Sequence, residues 1–487
     1  MKCKYVTSLA LVCFATASAL AANGADGPTD PTQLLAWLTG GVSSSRLVRI
    51  IQERGLSSAI SAGDIRAFQA AGADVELVQT LRNLKPKAGA GTSPVSASLV
   101  QAGEFAHQKR YEQAERALRE ALQSDPQNAA LHFALGAMLR EEEGWDDAFD
   151  EFTESARLMP DFPETHSRLA YLFVQDEDPD NAIAEARTAL SMDPTNAEAY
   201  ECLGLGLHAS GQYTAALHAF EESLEREPEN PNVYYDMGAT LRASGDLRHA
   251  AIAYRHAIRL QPAFWEAHAN LGIVLHEEGK LDDAISEYRE AKRLAPDEAS
   301  VRNNLGNTYC DKNDFDAALA EFRELYHLHP EWESGHSCVA RAYLAKHDLA
   351  NALPELQLAV RENPTGSVEH RVLGQALLLA GKVDAALPEL RTAVSLNPDS
   401  SVAHHYLGTA LFQLQQLTPA EKEFREAVRL DPSADNHYSL AACLISMDRY
   451  DEALSELEIA SHLDPDKTLY RARKEELLKL MKPSTPR

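Results

Sequence analysis

From about residue 95 to residue 467 apolar residues recur at i, i+3, i+4 and i+7, in stretches of about 12 to 14 residues divided by short polar turns. That spacing predicts amphipathic helices taken in pairs. In "NLGIVLHEEGKLDDAISEYREAKRLAP", Gly279 ends a first helix as its C-terminal cap, Asp282 and Asp283 start the second, and Pro296 keeps it from continuing. Prolines stand at 126, 160, 194, 228, 262, 296, 330, 364, 398 and 432, always 34 residues apart, and Pro465 comes one residue early. A fixed period of this length defines an array in which each helical pair needs its neighbours to bury its apolar faces.

With each proline taken as position 32 of its unit, small and large residues recur in phase. Position 8 is Gly136, Gly204, Gly238, Gly272, Gly306, Gly374 or Gly408, and Ala102, Ala170, Ala340 or Ala441 in the other units. Position 20 is always alanine, from Ala114 to Ala453, and position 24 is mostly large, as in Phe152, Phe220, Tyr254, Tyr288, Phe322 and Phe424. The small residues let two helix backbones approach closely, so a bulky side chain at Gly272 is expected to overpack the pair.

This phased pattern resembles the tetratricopeptide repeat over roughly residues 95–467, in eleven units. The resemblance implies an all-α solenoid, a right-handed superhelix whose first helices line a concave groove, with binding residues at positions 2, 5, 6, 9, 12 and 13. Those positions hold Glu198, Glu201, His208, Tyr235, Asp236, Arg242, Asn270, His276, Asn303, Asn304, Asn307 and Arg341. An asparagine both donates and accepts, so a row of them can pair with a peptide backbone without reading its sequence. Large sugar-transferring enzymes with such arrays use asparagines this way. Here only Asn270 and Asn304 fill position 6 in successive units, so the ladder is partial, and plain solvated polar residues are the competing reading. Further on the same face turns apolar, with Val368, Val372, Leu378, Leu379, Val402, Tyr406 and Phe412, which fits a docked helix or hydrophobic peptide. No lysine pair stands at positions 2 and 5, which disfavours a chaperone-tail receptor.

The segments outside the array read differently. Lys2 and Lys4, an apolar run from Val6 to Leu20 and Ala19-Leu20-Ala21 form a secretory signal over residues 1–21, with an uncleaved anchor as the rival reading. Val12 argues against lipidation at Cys13. Residues 26–84 lack the repeat period and read as a small separate helical domain, with a cap at Ser44 or Ser45, a stop at Gly55, an end at Gly72 and a cap at Asp74. Residues 85–94, "KPKAGAGTSP", read as a flexible linker, and residues 468–487 as a capping helix and tail with Leu469, Leu477, Leu478 and Leu480 on its apolar side.

Charge and chemistry narrow the function. The net charge is −27; residues 1–21 carry +2 and residues 22–94 carry +1, so the array and tail bear −30. Nucleic acid is thereby disfavoured; the excess is an ordinary solubilising coat or, if functional, favours basic peptides. Of the mature cysteines, Cys202, Cys310, Cys338 and Cys443, only Cys310 and Cys338 lie in adjacent units, and four buried thiols is the preferred account. Position 4 holds His132, His166, His268, His336, His370, His404 and His437, with Tyr200 and Tyr234 elsewhere. Packing in place of an aromatic ring is preferred there to a pH sensor or metal ladder, because residues one repeat apart are too distant to share an ion. His327, His329 and the adjacent His404 and His405 present no ligand pair well.

No catalytic motif, cofactor or metal site is legible. The expected function is a non-enzymatic scaffold holding protein or peptide partners, periplasmic or secreted. The alternatives are a targeting subunit of a glycosyltransferase-like complex and a self-associating envelope protein; the first is weakened because only about twenty residues follow the last repeat.

Overall fold

The computed structural model describes residues 27–84, 95–332 and 334–481. The expected signal (1–21) and linker (85–94) lie outside them. The described residues form 27 helices in chain order and no strand, with one isolated parallel bridge between Thr29 and Leu56. None of these helices is long and apolar enough to cross a membrane. The chain divides after Pro262 into two compact units.

The first unit opens with four short helices, α1 (Pro31–Thr39), α2 (Ser44–Arg54), α3 (Ala62–Ala70) and α4 (Val75–Asn83). Their ends follow local chemistry. Asp30, Ser43, Ser61 and Asp74 each accept a backbone N–H of the helix they open, and Gly55, at φ +78°, closes α2. The cap of α2 is therefore Ser43, before both of the expected positions, Ser44 and Ser45. Five helical pairs follow: α5 (Ala97–His107) with α6 (Tyr111–Ser124), α7 (Ala129–Glu141) with α8 (Trp145–Leu158), α9 (Pro163–Gln175) with α10 (Pro179–Met192), α11 (Ala197–Ala209) with α12 (Tyr213–Arg226), and α13 (Pro231–Ala243) with α14 (Leu247–Leu260).

The second unit holds six more pairs. They are α15 (Trp265–Glu277) with α16 (Leu281–Leu294), α17 (Ala299–Asp311) with α18 (Phe315–Leu328), and α19 (His336–Ala345) with α20 (Leu349–Glu362). Then come α21 (Ser367–Leu379) with α22 (Val383–Leu396), α23 (Ser401–Gln413) with α24 (Leu417–Leu430), and α25 (Ala434–Ser446) with α26 (Tyr450–Leu463). A last helix, α27 (Thr468–Met481), packs on α26 and reaches α25 through Tyr470, which meets Tyr438 and Asp435; Tyr470 and Leu477 are buried, while Leu469, Leu478 and Leu480 stay exposed. Of the four leucines expected on its apolar side only Leu477 is buried, because the last repeat covers only a narrow stripe of the helix.

One contact fixes the geometry of the pairs. A Cβ added at position 8 would lie 2.5–3.1 Å from the position-24 side chain of the same unit: Gly136 against Phe152, Gly204 against Phe220, Gly238 against Tyr254, Gly272 against Tyr288, Gly306 against Phe322, Gly374 against Leu390 and Gly408 against Phe424. Real side chains do not approach so closely, so the ring lies directly on the glycine backbone. Where position 8 is alanine the facing residue is aliphatic, as in Ala102 with Leu118 and Ala340 with Leu356. Small and large residues compensate within each pair, which keeps the interior at close-packed density. The turn inside each pair carries a second constant, a left-handed residue at position 15, filled by Gly211, Gly245, Gly279 and Gly381 but also by Lys109, Glu143, Glu177, Asn313, His347, Gln415 and Asp448.

The N-terminal helices do not have a core of their own. Leu34, Leu35, Trp37, Ile51 and Phe68 join Leu99, Phe133, Phe152, Phe162 and Leu172 in one continuous buried cluster. Trp37 stacks on Phe162 with ring centroids 4.5 Å apart, and the Phe162 ring meets Phe133 edge-on at 5.4 Å. The segment expected to stand separately is therefore an integral layer over the first three pairs.

The cysteine expectation is also corrected. Cys310 of α17 and Cys338 of α19 are joined in a disulfide, with Cα atoms 6.0 Å apart, while Cys202 and Cys443 are free and buried. First helices of successive pairs lie side by side, as the contacts of α17 with α19 record, and this brings the two cysteines within bonding range.

Candidate functional site

The face offered by the first helices begins under cover. A Cβ at Gly40 would lie 2.7 Å from the Phe133 ring and one at Gly103 2.8 Å from the Ala71 Cβ, so residues 27–84 rest on positions 5, 6 and 9 of the first units. Arg46 of α2 reaches Glu164, at position 2 of the third unit, with Nε 2.5 Å from its carboxylate, and reaches Asp193 at 3.0 Å. Arg49 donates to the Thr195 hydroxyl at 2.6 Å. Glu164 is almost wholly buried; burial pushes its carboxyl up, against the opposing pull of Arg46. The acidic face thus already holds one guanidinium, supplied by the chain itself.

Beyond this covered stretch, still within the first unit, the expected residues sit on α11 and α13. Glu198 pairs with Arg168 of α9 and accepts the Ser167 hydroxyl at 3.3 Å. Among the described residues Glu201 accepts only from Asn230 Nδ2, at 3.2 Å, and burial, reinforced by the Glu198 charge, pushes its carboxyl up to about 7. Asp236, one unit on, is part-buried; its carboxyl has no hydrogen-bond or ion-pair partner among the described residues and is held well above the carboxylate range by burial and by Glu201. His208 meets the Thr240 hydroxyl at 2.9 Å and is lowered by burial, and the Tyr235 ring tilts against Tyr254 at 5.7 Å. Arg242 is part-buried on the same helix.

In the second unit Asn270 lies on α15, and Asn303, Asn304 and Asn307 on α17, all part-buried. Asn303 accepts the Ser334 hydroxyl at 3.4 Å; the side chains of Asn304 and Asn307 hydrogen-bond to none of the described residues. His276 of α15 and Arg341 of α19 meet on Asp311 of α17, at 3.0 and 3.1 Å, and Arg341 also donates to the Cys310 carbonyl. These cross-links put positions 9, 12 and 13 of three successive first helices on one face. Val372, Tyr406 and Phe412 are half-buried against the local core, whereas Val368, Val402 and Leu379 are exposed, Leu379 by 70%.

The position-4 histidines do something the sequence reading missed. All seven place Nδ1 2.5–2.7 Å from a glutamate nineteen residues on: Glu151, Glu185, Glu287, Glu355, Glu389, Glu423 and Glu456. His132, His166, His370 and His404 also set Nε2 2.9–3.1 Å from the carbonyl of the proline six residues before. Arg302 makes the same two contacts, with Glu321 and Pro296. Where position 4 is Ser98, Tyr200 or Tyr234, the partner position holds Ala117, Ala219 or Ala253. This pairing was visible in the sequence as a glutamate that comes and goes with its basic partner. For His132 and His166 burial alone would lower the ring, but the glutamate and proline acceptors raise it above its ordinary value. The rings pack between helices as expected, but as hydrogen-bonded latches. His404 and the neighbouring His405 diverge to Glu423 and Asn436.

A row of tightly paired helices with such a face defines a class of protein. The tetratricopeptide repeat family model matches residues 100–161, 167–231, 235–299, 303–367 and 371–435, and the chain belongs to that family. Among solved structures it is similar to YrrB, described as a TPR protein with an unusual peptide-binding site, at 25% identity over 40% of this chain and 97% of that one, with a TM-score of 0.33. It is also similar to Pseudomonas aeruginosa pilF, at 19% identity over 48% of this chain and 99% of that one (TM-score 0.39), and to MamA, at 24% identity over 33% and 94% (TM-score 0.30). No curated protein sequence matches the chain.

Proposed function

We propose that this chain is a non-enzymatic scaffold that holds peptide or protein segments along the first-helix face beyond the stretch covered by residues 27–84, and that it works after export, in a bacterial cell envelope or outside the cell. One observation carries the binding reading. The amide side chains of Asn304 and Asn307 lie on a part-buried helix face with no hydrogen-bond partner among the described residues, whereas the equivalent face of the first three units is filled by the chain itself. An extended segment laid there gives each amide both its donor and its acceptor contacts. Export is supported by the basic and apolar pattern of residues 1–21 and by the Cys310–Cys338 bond, since disulfides persist in oxidising compartments.

The test is partner capture from an envelope extract by the mature chain and by a variant carrying Asn303→Ala, Asn304→Ala, Asn307→Ala, Tyr406→Ala and Phe412→Ala. Proteins retained by the first and lost from the second are the expected result. Equal capture by both, or recovery of the chain only from the cytoplasm, contradicts the corresponding half of the proposal.

A further inference from the structure

Arg46 shows what the acidic part of this face does with a cation. Its guanidinium lies between Glu164 and Asp193, where α9 begins and α10 ends, and Arg49 anchors beside it on Thr195. The next acid along, Glu198, has Arg168. The two after that form no ion pair among the described residues. There Glu201 has one amide donor, Asn230, and Asp236 has no side-chain partner. Tyr171 of α9, with the Arg140 guanidinium over its ring at 5.6 Å, feels the charge of both carboxyls, so residues of three successive first helices contribute to one recess. Beside it Glu227, Pro228, Glu229, Asn230 and Pro231 line an open depression of about 610 Å³, which adds two carboxylates to the rim.

We infer that the recess formed by Glu201 and Asp236 receives a lysine or arginine side chain of a bound partner segment, lying directly beyond the place where Arg46 occupies the same face. The inference rests on the scaffold reading above and gives the partner a chemistry. Two observations carry it: the acidic face that holds Arg46 continues onto these residues, and neither carboxyl has an ion-pair partner among the described residues, since Arg168 is engaged by Glu198. Desolvated carboxyls without a cation hold their protons, as the raised titration of both groups reflects; an inserted cation removes that cost and gains charge-assisted hydrogen bonds. A guanidinium is favoured over an ammonium because its planar fork serves two carboxylates at once.

The test measures binding of a fluorescent twelve-residue peptide of alternating alanine and arginine to the mature chain by polarisation, with its citrulline counterpart as control. Citrulline keeps the shape and removes the charge. The arginine peptide is expected to bind at least about tenfold more tightly, and a Glu201→Gln, Asp236→Asn double variant to lose that preference while keeping its helicity by circular dichroism. Affinity of the wild type is expected to fall from pH 8 to 6 as Glu201 takes a proton, with Glu198, Glu227, Asp236 and Arg168 as the charged groups around it, and to stay flat in the Glu201→Gln, Asp236→Asn double variant. Equal binding of the two peptides, a variant that binds as tightly as the wild type, or competition by millimolar calcium through the same two carboxylates overturns the inference. Envelope partners captured through the asparagine face, with no arginine preference at Glu201 and Asp236, would sink this site alone and leave the scaffold reading standing.

Discussion

The first helices of units one to three and those of units four and five come from one repeat, yet their faces meet different fates. On α5, α7 and α9 the outward positions are Gly103, Phe133, Ala134 and Glu164, small or apolar residues and one acid matched to Arg46, and residues 27–84 close over them into a common core. On α11 and α13 the same positions hold Glu201, Tyr235 and Asp236; Glu201 accepts from Asn230 and the Tyr235 ring tilts against Tyr254, both residues of the array itself. A repeat therefore fixes the frame, and the residues at its outward positions decide whether the face becomes interior or stays available to a partner.

The comparison breaks most sharply at the covered end. Trp37→Ala empties a site 1% exposed and stacked on Phe162, and is expected to cost about 3 to 5 kcal/mol in urea unfolding of the first unit. Arg46→Met strands Glu164 without its cation at a similar cost of about 3 to 5 kcal/mol, and Glu164→Leu added to it should restore most of the loss. If the segment were only tethered, neither change would move the unfolding midpoint.

Smaller effects sharpen the open end. Gly238→Ala places a methyl 2.7 Å from the Tyr254 ring, and a destabilisation of about 1 to 3 kcal/mol is expected by thermal denaturation. Glu201 titrates near 7 when folded, above its unfolded value, so its contribution to stability is full in acid and is lost as pH rises through about 7. Glu201→Gln should flatten that decline between pH 5 and 8, and an unaltered pH profile would count against an uncompensated recess. The least effect is a spectroscopic one. The His166 ring should titrate above an ordinary histidine by NMR, and Glu185→Gln should bring it down.

Much of this was legible beforehand, for reasons that single residues make plain. The prolines, the alanine of position 20 and the exchange of glycine and ring between positions 8 and 24 act within one unit, so Gly272 and Tyr288 announce their contact sixteen residues apart. The glutamates of the histidine latches also act within one unit, and were missed only because histidine was read alone. What stayed hidden acts across units. Trp37 meets Phe162 and Arg46 meets Glu164 over more than a hundred residues, with no period to relate them, and Cys310 finds Cys338 only once α17 and α19 lie side by side. The asparagines were placed on the first helices correctly, whereas the acidic recess emerged only when burial separated Glu201 from Glu198.

The most direct test of the central claim is hydrogen exchange of the chain with and without a captured envelope partner. The account predicts new protection in α11, α13 and α17, with α5, α7 and α9 protected equally in both states. Protection confined to the second helices, such as α12 and α18, would contradict it.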